Sequence, residues 1–258
     1  CLLLGCFAIA TVLPFLYVLA CSFASEKEIL SRPFFIIPSE FQIHTYKYIF
    51  SSPTLPRAFL ISLFVTTTGA LTAMFFTLTM AYPLSKKNLV GRKFLLGMVT
   101  FTLVFGGGMI PGFLVIKSLG LRNTYWALIL PGMANGYSIF LLKGFFDSLP
   151  KELYEAAIID GASEPTMFRR ITIPLSKPIF AVIALGSFTA AYGAFMFAFL
   201  VCQNQKMWTM MVWLYEMQIL APKYITMSAL TLAAIPTLLI FVFCQNIIMR
   251  GIILPSFK

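Results

Sequence analysis

The chain has 258 residues, of which 59% are hydrophobic and only 11% are charged, and its mean hydropathy is +0.89. A soluble domain of this size carries about 25% charged residues, so too few charges remain to coat a water-facing globule. The net charge of +10 would suit nucleic acid in a soluble protein. Here the basic residues sit in short gaps between apolar runs, where they orient a membrane protein instead.

A helix needs about 20 apolar residues to cross the hydrocarbon core. Six charge-free stretches meet that need: Cys1–Ser25, Ala58–Ser85, Phe94–Ile116, Asn123–Leu142, Pro178–Gln205 and Tyr224–Met249. Backbone in lipid must satisfy itself, and the period-two alternation of a membrane barrel is absent. The expectation is an all-α membrane protein with six transmembrane helices in a single domain over 1–258, with spans at about 1–24, 58–84, 94–116, 124–146, 177–203 and 226–250.

The sequence begins at Cys1 rather than methionine, and a missing upstream segment is expected. The first stretch is too long for the apolar region of a signal peptide and lacks its small-residue end. Between the first two spans, 26–57 holds Pro33, Pro38, Pro53 and Pro56 and cannot be one helix. The next gap packs Lys86, Lys87, Arg92 and Lys93 into eight residues. That dense, short, basic loop marks the cytoplasmic side, and both termini are then expected in the cytoplasm.

The third span contains Gly106-Gly107-Gly108 followed by Pro111. No Gly-Lys-Ser/Thr follows, so this is not a phosphate loop. A kink lining a translocation path is expected, with Gly107 and Gly108 on the substrate path. Pro131 and Pro236 raise the same question less sharply.

Residues 143–177 hold five of the nine acids and five basic residues. A turn between two spans needs only a handful of residues, so this segment has a use. Pro150 opens a helix whose Leu153, Ala156, Ala157 and Asp160 fall on one face, and Gly161 ends it. Ser163 caps a second short helix through Arg170, and Pro174 and Pro178 stop it and redirect the chain. Small alanines let another protein approach the backbone, and Glu155 can anchor it by a charge-assisted hydrogen bond. A plain solvated connector fits the composition equally well.

Beyond it, 206–223 reads as a short helix lying against or dipping into the membrane. Tyr192, Phe195 and Trp208 could stack on the faces of a transported solute, although aromatics in membrane helices more often pack or anchor. The five cysteines lack metal or redox spacing and read as small packing residues.

The run Glu155-Ala156-Ala157, three residues, Gly161, nine residues, Ile171, one residue, Ile173-Pro174 resembles the EAA signature E-A-A-x3-G-x9-I-x-L-P of binding-protein-dependent permeases, with isoleucine in place of leucine at position 173. The resemblance covers nearly the whole chain and is nearest the maltose-transporter type. Phe105–Met133 looks like the branch that imports oligosaccharides and polysaccharide fragments. It implies a type I ABC importer permease with a two-helix coupling loop over 147–175 that docks on a separate ATPase through Glu155, Ala156, Ala157, Asp160 and Gly161. The implied partners are two cytoplasmic ATPase subunits, a second and different permease chain, an extracytoplasmic sugar-binding protein, an oligosaccharide and membrane lipid, with no nucleic acid.

The resemblance further implies a non-catalytic subunit of the bacterial inner membrane that binds no cofactor or metal itself, with ATP and Mg on the ATPase. The absence of G-x-x-x-x-G-K-[ST] agrees with a separate nucleotide site. By position, Pro222, Lys223 and Tyr224 form an external loop reaching the binding protein. A secondary transporter or channel is the main rival, but such proteins place ionisable residues inside spans. An intramembrane enzyme would need more than His44, the only histidine, which lies in an external segment.

Overall fold

The computed structural model describes residues 2–252, and every regular element among them is helical. In chain order these are α1 (Leu2–Phe23), α2 (Glu26–Ser31), α3 (His44–Ser51), α4 (Thr54–Ser85), α5 (Arg92–Val104), α6 (Met109–Ser118), α7 (Tyr125–Ile129) and α8 (Gly136–Asp147). Then follow α9 (Lys151–Ile159), α10 (Glu164–Met167), α11 (Ile173–Leu175), α12 (Lys177–Tyr192), α13 (Phe195–Val201), α14 (Met210–Leu220) and α15 (Lys223–Ile252). Three helices, α1, α4 and α15, are long and apolar enough to cross a membrane. The number reaches six if each of three sharply bent pairs counts as one span.

Three of the six expected spans are broken pairs rather than single straight helices. The third stretch is not one kinked helix: α5 and α6 meet at 113°. With 13 and 10 residues, they rise only about 20 and 15 Å, each short of a hydrocarbon core of about 30 Å. Three successive glycines supply the break, and Gly108 takes φ 74°, which turns the chain out of the helix. The fourth stretch bends by 44° after a 3-10 turn that contains Pro131, before Asn135 caps α8 by accepting from the Ser138 N–H. The fifth ends α12 at Tyr192 and restarts as α13 after Gly193. Pro236, by contrast, is carried inside the continuous α15.

Contacts divide the described residues into two compact units, one of 2–63 with 194–238 and the other of 64–193 with 239–252. In the first, the end of α1 packs small residues, Ala20, Cys21 and Ala24, against Ile29 and Phe35, with Tyr17, Tyr224 and Met227 at the edge. Three hydroxyls here are paired: Ser228 Oγ donates to the Ser22 carbonyl at 2.9 Å, and Tyr46 donates to Ser22 Oγ at 2.8 Å. The short helix expected to lie against or dip into the membrane is α14, and it packs into this unit through Met210, Val212, Trp213 and Leu214. Its start is fixed by the Met210 N–H donating to Ser62 Oγ at 2.6 Å.

The segment 26–57 holds two short helices and the first turn of α4, which takes in Pro56. Ser25 caps α2 by accepting from the Glu28 N–H. The buried Glu28 then accepts from the Ser39 hydroxyl and amide and from Arg32, which closes the proline-containing loop between them. The Ser39 hydroxyl foremost, then its amide and Arg32, hold the Glu28 carboxyl below its ordinary value of 4.5. A lowered carboxyl stabilises the fold fully above that ordinary value, and the contribution is lost as pH falls through the lowered one. Hydrogen exchange at the Ser39 amide is therefore expected to quicken on acidification below pH 4.5, beyond the intrinsic pH trend. Glu28→Gln is expected to exchange fast at every pH.

In the second unit the C-terminal part of α4 meets α5, α8 and α12 through Ala81, Leu84, Val99, Ile139, Leu142, Phe146 and Ile183. The crossing of α5 and α8 is close. A Cβ on Gly136 would lie 2.9 Å from Thr102 Oγ1 and 3.2 Å from the Val99 carbonyl. This core is the platform from which the polar segment 147–175 projects.

Candidate coupling site

The polar segment folds as a helix, a turn and a second helical arm. Pro150 precedes α9, where its missing N–H matters least and Glu152 lies in the first turn. Gly161 ends α9 with φ 74°. The Ala162 N–H bonds to the Ala157 carbonyl and the Gly161 N–H to the Ile158 carbonyl, the Schellman pattern that satisfies the last carbonyls of a helix.

The outward face of α9 is wider than the expected one. Glu152, Leu153, Glu155, Ala156, Ile158 and Ile159 are exposed, the last by 86%. Ala157 is half-buried on the inner side with Tyr154, so the two alanines of the motif do not share one open face. Asp160 and Gly161 are exposed at the helix end. An isoleucine this exposed beside an aspartate is a surface awaiting cover, and spacing alone does not single it out.

The second arm also departs from expectation. It does not stop at Arg170. After α10, a π turn over Phe168–Thr172 leads into α11, so Pro174 falls in the last turn rather than ahead of it. The chain then bends by 76° into α12. Ser163 stands at the start of α10, but its hydroxyl meets Thr166 Oγ1 at 2.9 Å instead of a backbone N–H.

Side chains tie the two arms to each other and to α4. The Tyr154 and Thr172 hydroxyls lie 2.7 Å apart. Tyr82 donates to Glu164 at 2.6 Å, and Lys86 Nζ pairs with the same carboxylate at 3.1 Å. That ammonium lies 4.8 Å from the ring centres of both Tyr82 and Tyr154. The Tyr82 hydroxyl foremost, then Lys86, lowers the Glu164 carboxyl, which is ionised at neutral pH. Tyr82 also packs on the Phe168 ring at 4.6 Å. Sequence reasoning missed this group. A tyrosine and a lysine four apart at the end of the second span are legible, but their partner is 82 residues from Tyr82.

The other expected sites are less assembled. Gly107 and Gly108 are exposed at the break between α5 and α6. Tyr192 is buried with its ring parallel to Phe188 at 6.0 Å. Phe195 packs on Tyr215 at 4.8 Å, and Trp208 is half-buried. The external loop at Pro222, Lys223 and Tyr224 is a two-residue turn, because α14 runs to Leu220 and α15 starts at Lys223. Pro222 cannot extend α14, and its carbonyl accepts the Ile225 and Thr226 N–H groups that open α15. Tyr224 packs on the α1 cluster, while Pro222 and Lys223 are exposed.

A chain of apolar helices, several broken, carrying a charged helix-turn-helix between two of its apolar segments, has the build of a transporter membrane subunit. The family model of the binding-protein-dependent transport system inner membrane component matches residues 2–254, and the chain belongs to that family. It is similar to Protein LplC of Bacillus subtilis (strain 168), with 41% identity over 100% of this chain and 92% of that one. It is also similar to the polygalacturonan/rhamnogalacturonan transport system permease protein YtcP of the same strain, with 39% identity over 98% of this chain and 94% of that one. Among solved structures, a chain of a bacterial ABC transporter involved in the import of the acidic polysaccharide alginate aligns with a TM-score of 0.85 and 25% identity. That alignment covers 95% of this chain and 93% of the other. The chain is thus a multi-pass permease of the ABC importer class.

Proposed function

We propose that this permease takes up oligosaccharides handed over by an extracytoplasmic binding protein, in a complex with a second, different permease chain and two cytoplasmic ATPase subunits. Of these features, the exposed helix α9 with its Gly161 stop, set in a chain matched by the family over nearly its whole length, carries the reading. In this reading α9 docks in a cleft of the ATPase. Ile159 is buried there, Ala156 permits close approach, and Glu155 accepts a charge-assisted hydrogen bond. ATP and Mg are bound by the ATPase, and this subunit performs no chemistry of its own. The segment 147–175 and the basic gap 86–93 face the cytoplasm, with both termini on that side of the inner membrane. YtcP is named for polygalacturonan/rhamnogalacturonan transport and the aligned transporter for import of the acidic polysaccharide alginate, so acidic oligosaccharides are the first sugars to test.

A cysteine in place of Ala156 in the assembled complex is expected to crosslink to the ATPase, whereas one in place of Leu114, an exposed apolar position on α6, is not. Glu155→Ala is expected to loosen ATPase retention by about ten- to a hundredfold, the scale of one charge-assisted bond of about 1.5–3 kcal/mol. Failure of the Ala156 crosslink in an assembled, ATP-hydrolysing complex would remove the docking role from α9.

A further inference from the structure

The ATPase can move a membrane helix only if the docked segment is fastened to that helix, and a backbone connection alone does not fasten α9 to α4. Sixty or more residues separate them in sequence, and the link is made by side chains. Resting on the docking role proposed for α9, we infer that Tyr82, Lys86 and Glu164 form a strap that makes the coupling segment and the end of α4 move as one body.

Three observations carry this. The Glu164 carboxylate takes both a hydroxyl from Tyr82 at 2.6 Å and the Lys86 ammonium at 3.1 Å, so a residue in the last turn of α4 and the one just past its end grip one acid on the second arm. The Lys86 ammonium stands equally close to the rings of Tyr82 on α4 and Tyr154 on α9, at 4.8 Å each. It therefore joins both arms to α4 through cation–π contacts. Tyr154 in turn meets Thr172 at 2.7 Å, which closes the two arms on each other. The strap is off the outward docking face, whose residues are Glu155, Ala156 and Ile159. Tyr82, Lys86 and Glu164 are positioning residues: they touch neither nucleotide nor sugar, and they act through the segment they hold.

The test uses the intact complex in nanodiscs with spin labels in place of Thr79, exposed on α4, and Arg170, exposed on the second arm. Distances are measured nucleotide-free and trapped with ATP, Mg and vanadate. In the otherwise wild-type complex one distance is expected in both states. Tyr82→Phe keeps the ring on Phe168 and loses only the hydroxyl, and Glu164→Ala releases the acid. Both are expected to keep the nucleotide-free distance and the bound ATPase, and to gain a second, shifted distance on trapping. Stimulated ATP hydrolysis should then persist while solute uptake per ATP falls.

A wild-type distance that itself shifts on trapping overturns the strap, as does one unshifted distance in both variants. A nucleotide-free distance already altered in Tyr82→Phe assigns these residues to folding alone and also overturns it. If the wild-type complex holds no ATPase, the docking role fails first and the strap with it.

Discussion

Gly161→Val is expected to lower ATPase retention and coupled transport by about tenfold or more while the membrane helices stay folded. The residue sits at φ 74°, a conformation that a β-branched side chain adopts only under strain, at a cost of about 1–3 kcal/mol. No neighbouring atom lies within 4 Å of the Cβ position, so crowding plays no part and the penalty belongs to the backbone. To escape it the chain must leave the left-handed region, which breaks the Ala162-to-Ala157 and Gly161-to-Ile158 hydrogen bonds that close α9. Ile159 and Asp160 then shift relative to the second arm. Gly161→Asn is the control, because asparagine tolerates this region, and it should remain near wild type. Co-purification of the ATPase and transport in reconstituted vesicles measure the effect. A valine variant that equals the asparagine one would mean the turn has no part in coupling.

Ile159→Glu is expected to detach the ATPase almost completely. An isoleucine 86% exposed at the end of a charged helix gains about 1.5–3 kcal/mol when a partner covers it. A carboxylate at the same point would be desolvated without a partner, adding several kcal/mol of opposition. Nothing among the described residues covers the side chain, so the isolated permease should keep its own thermal stability. Size-exclusion chromatography of the complex reads the first effect, and a melting curve of the permease alone reads the second. Retention of the ATPase by the glutamate variant would place Ile159 outside the contact.

Much of this architecture is legible in the sequence, and the limits have physical reasons. Charge-free runs identify apolar helices because lipid leaves backbone no other partner. They do not tell how far a helix turns where it breaks: Gly106–Gly108 announces a break, but 113° is set by φ at Gly108 and by the packing of α5 on α8. The left-handed stop at Gly161 follows from local code alone. Which side of α9 faces outward does not, because Tyr154 draws Ala157 inward through its contacts with Thr172 and Lys86. The same limit applies at Pro222–Tyr224, where helix packing on α1 shortens an expected loop to a turn. The grip on Glu164 joins distant segments and leaves no trace in spacing.

The central claim is that this permease couples ATP hydrolysis on a partner to delivery of an oligosaccharide by a binding protein. The direct measurement is the ATP hydrolysis rate of the purified, reconstituted complex with the binding protein empty, loaded with an oligogalacturonide, or absent. The account predicts that the loaded binding protein raises the rate severalfold above both controls, and that Gly161→Val removes the increase. Equal rates under all three conditions in a folded complex, or solute movement by this chain without any ATPase, would contradict it.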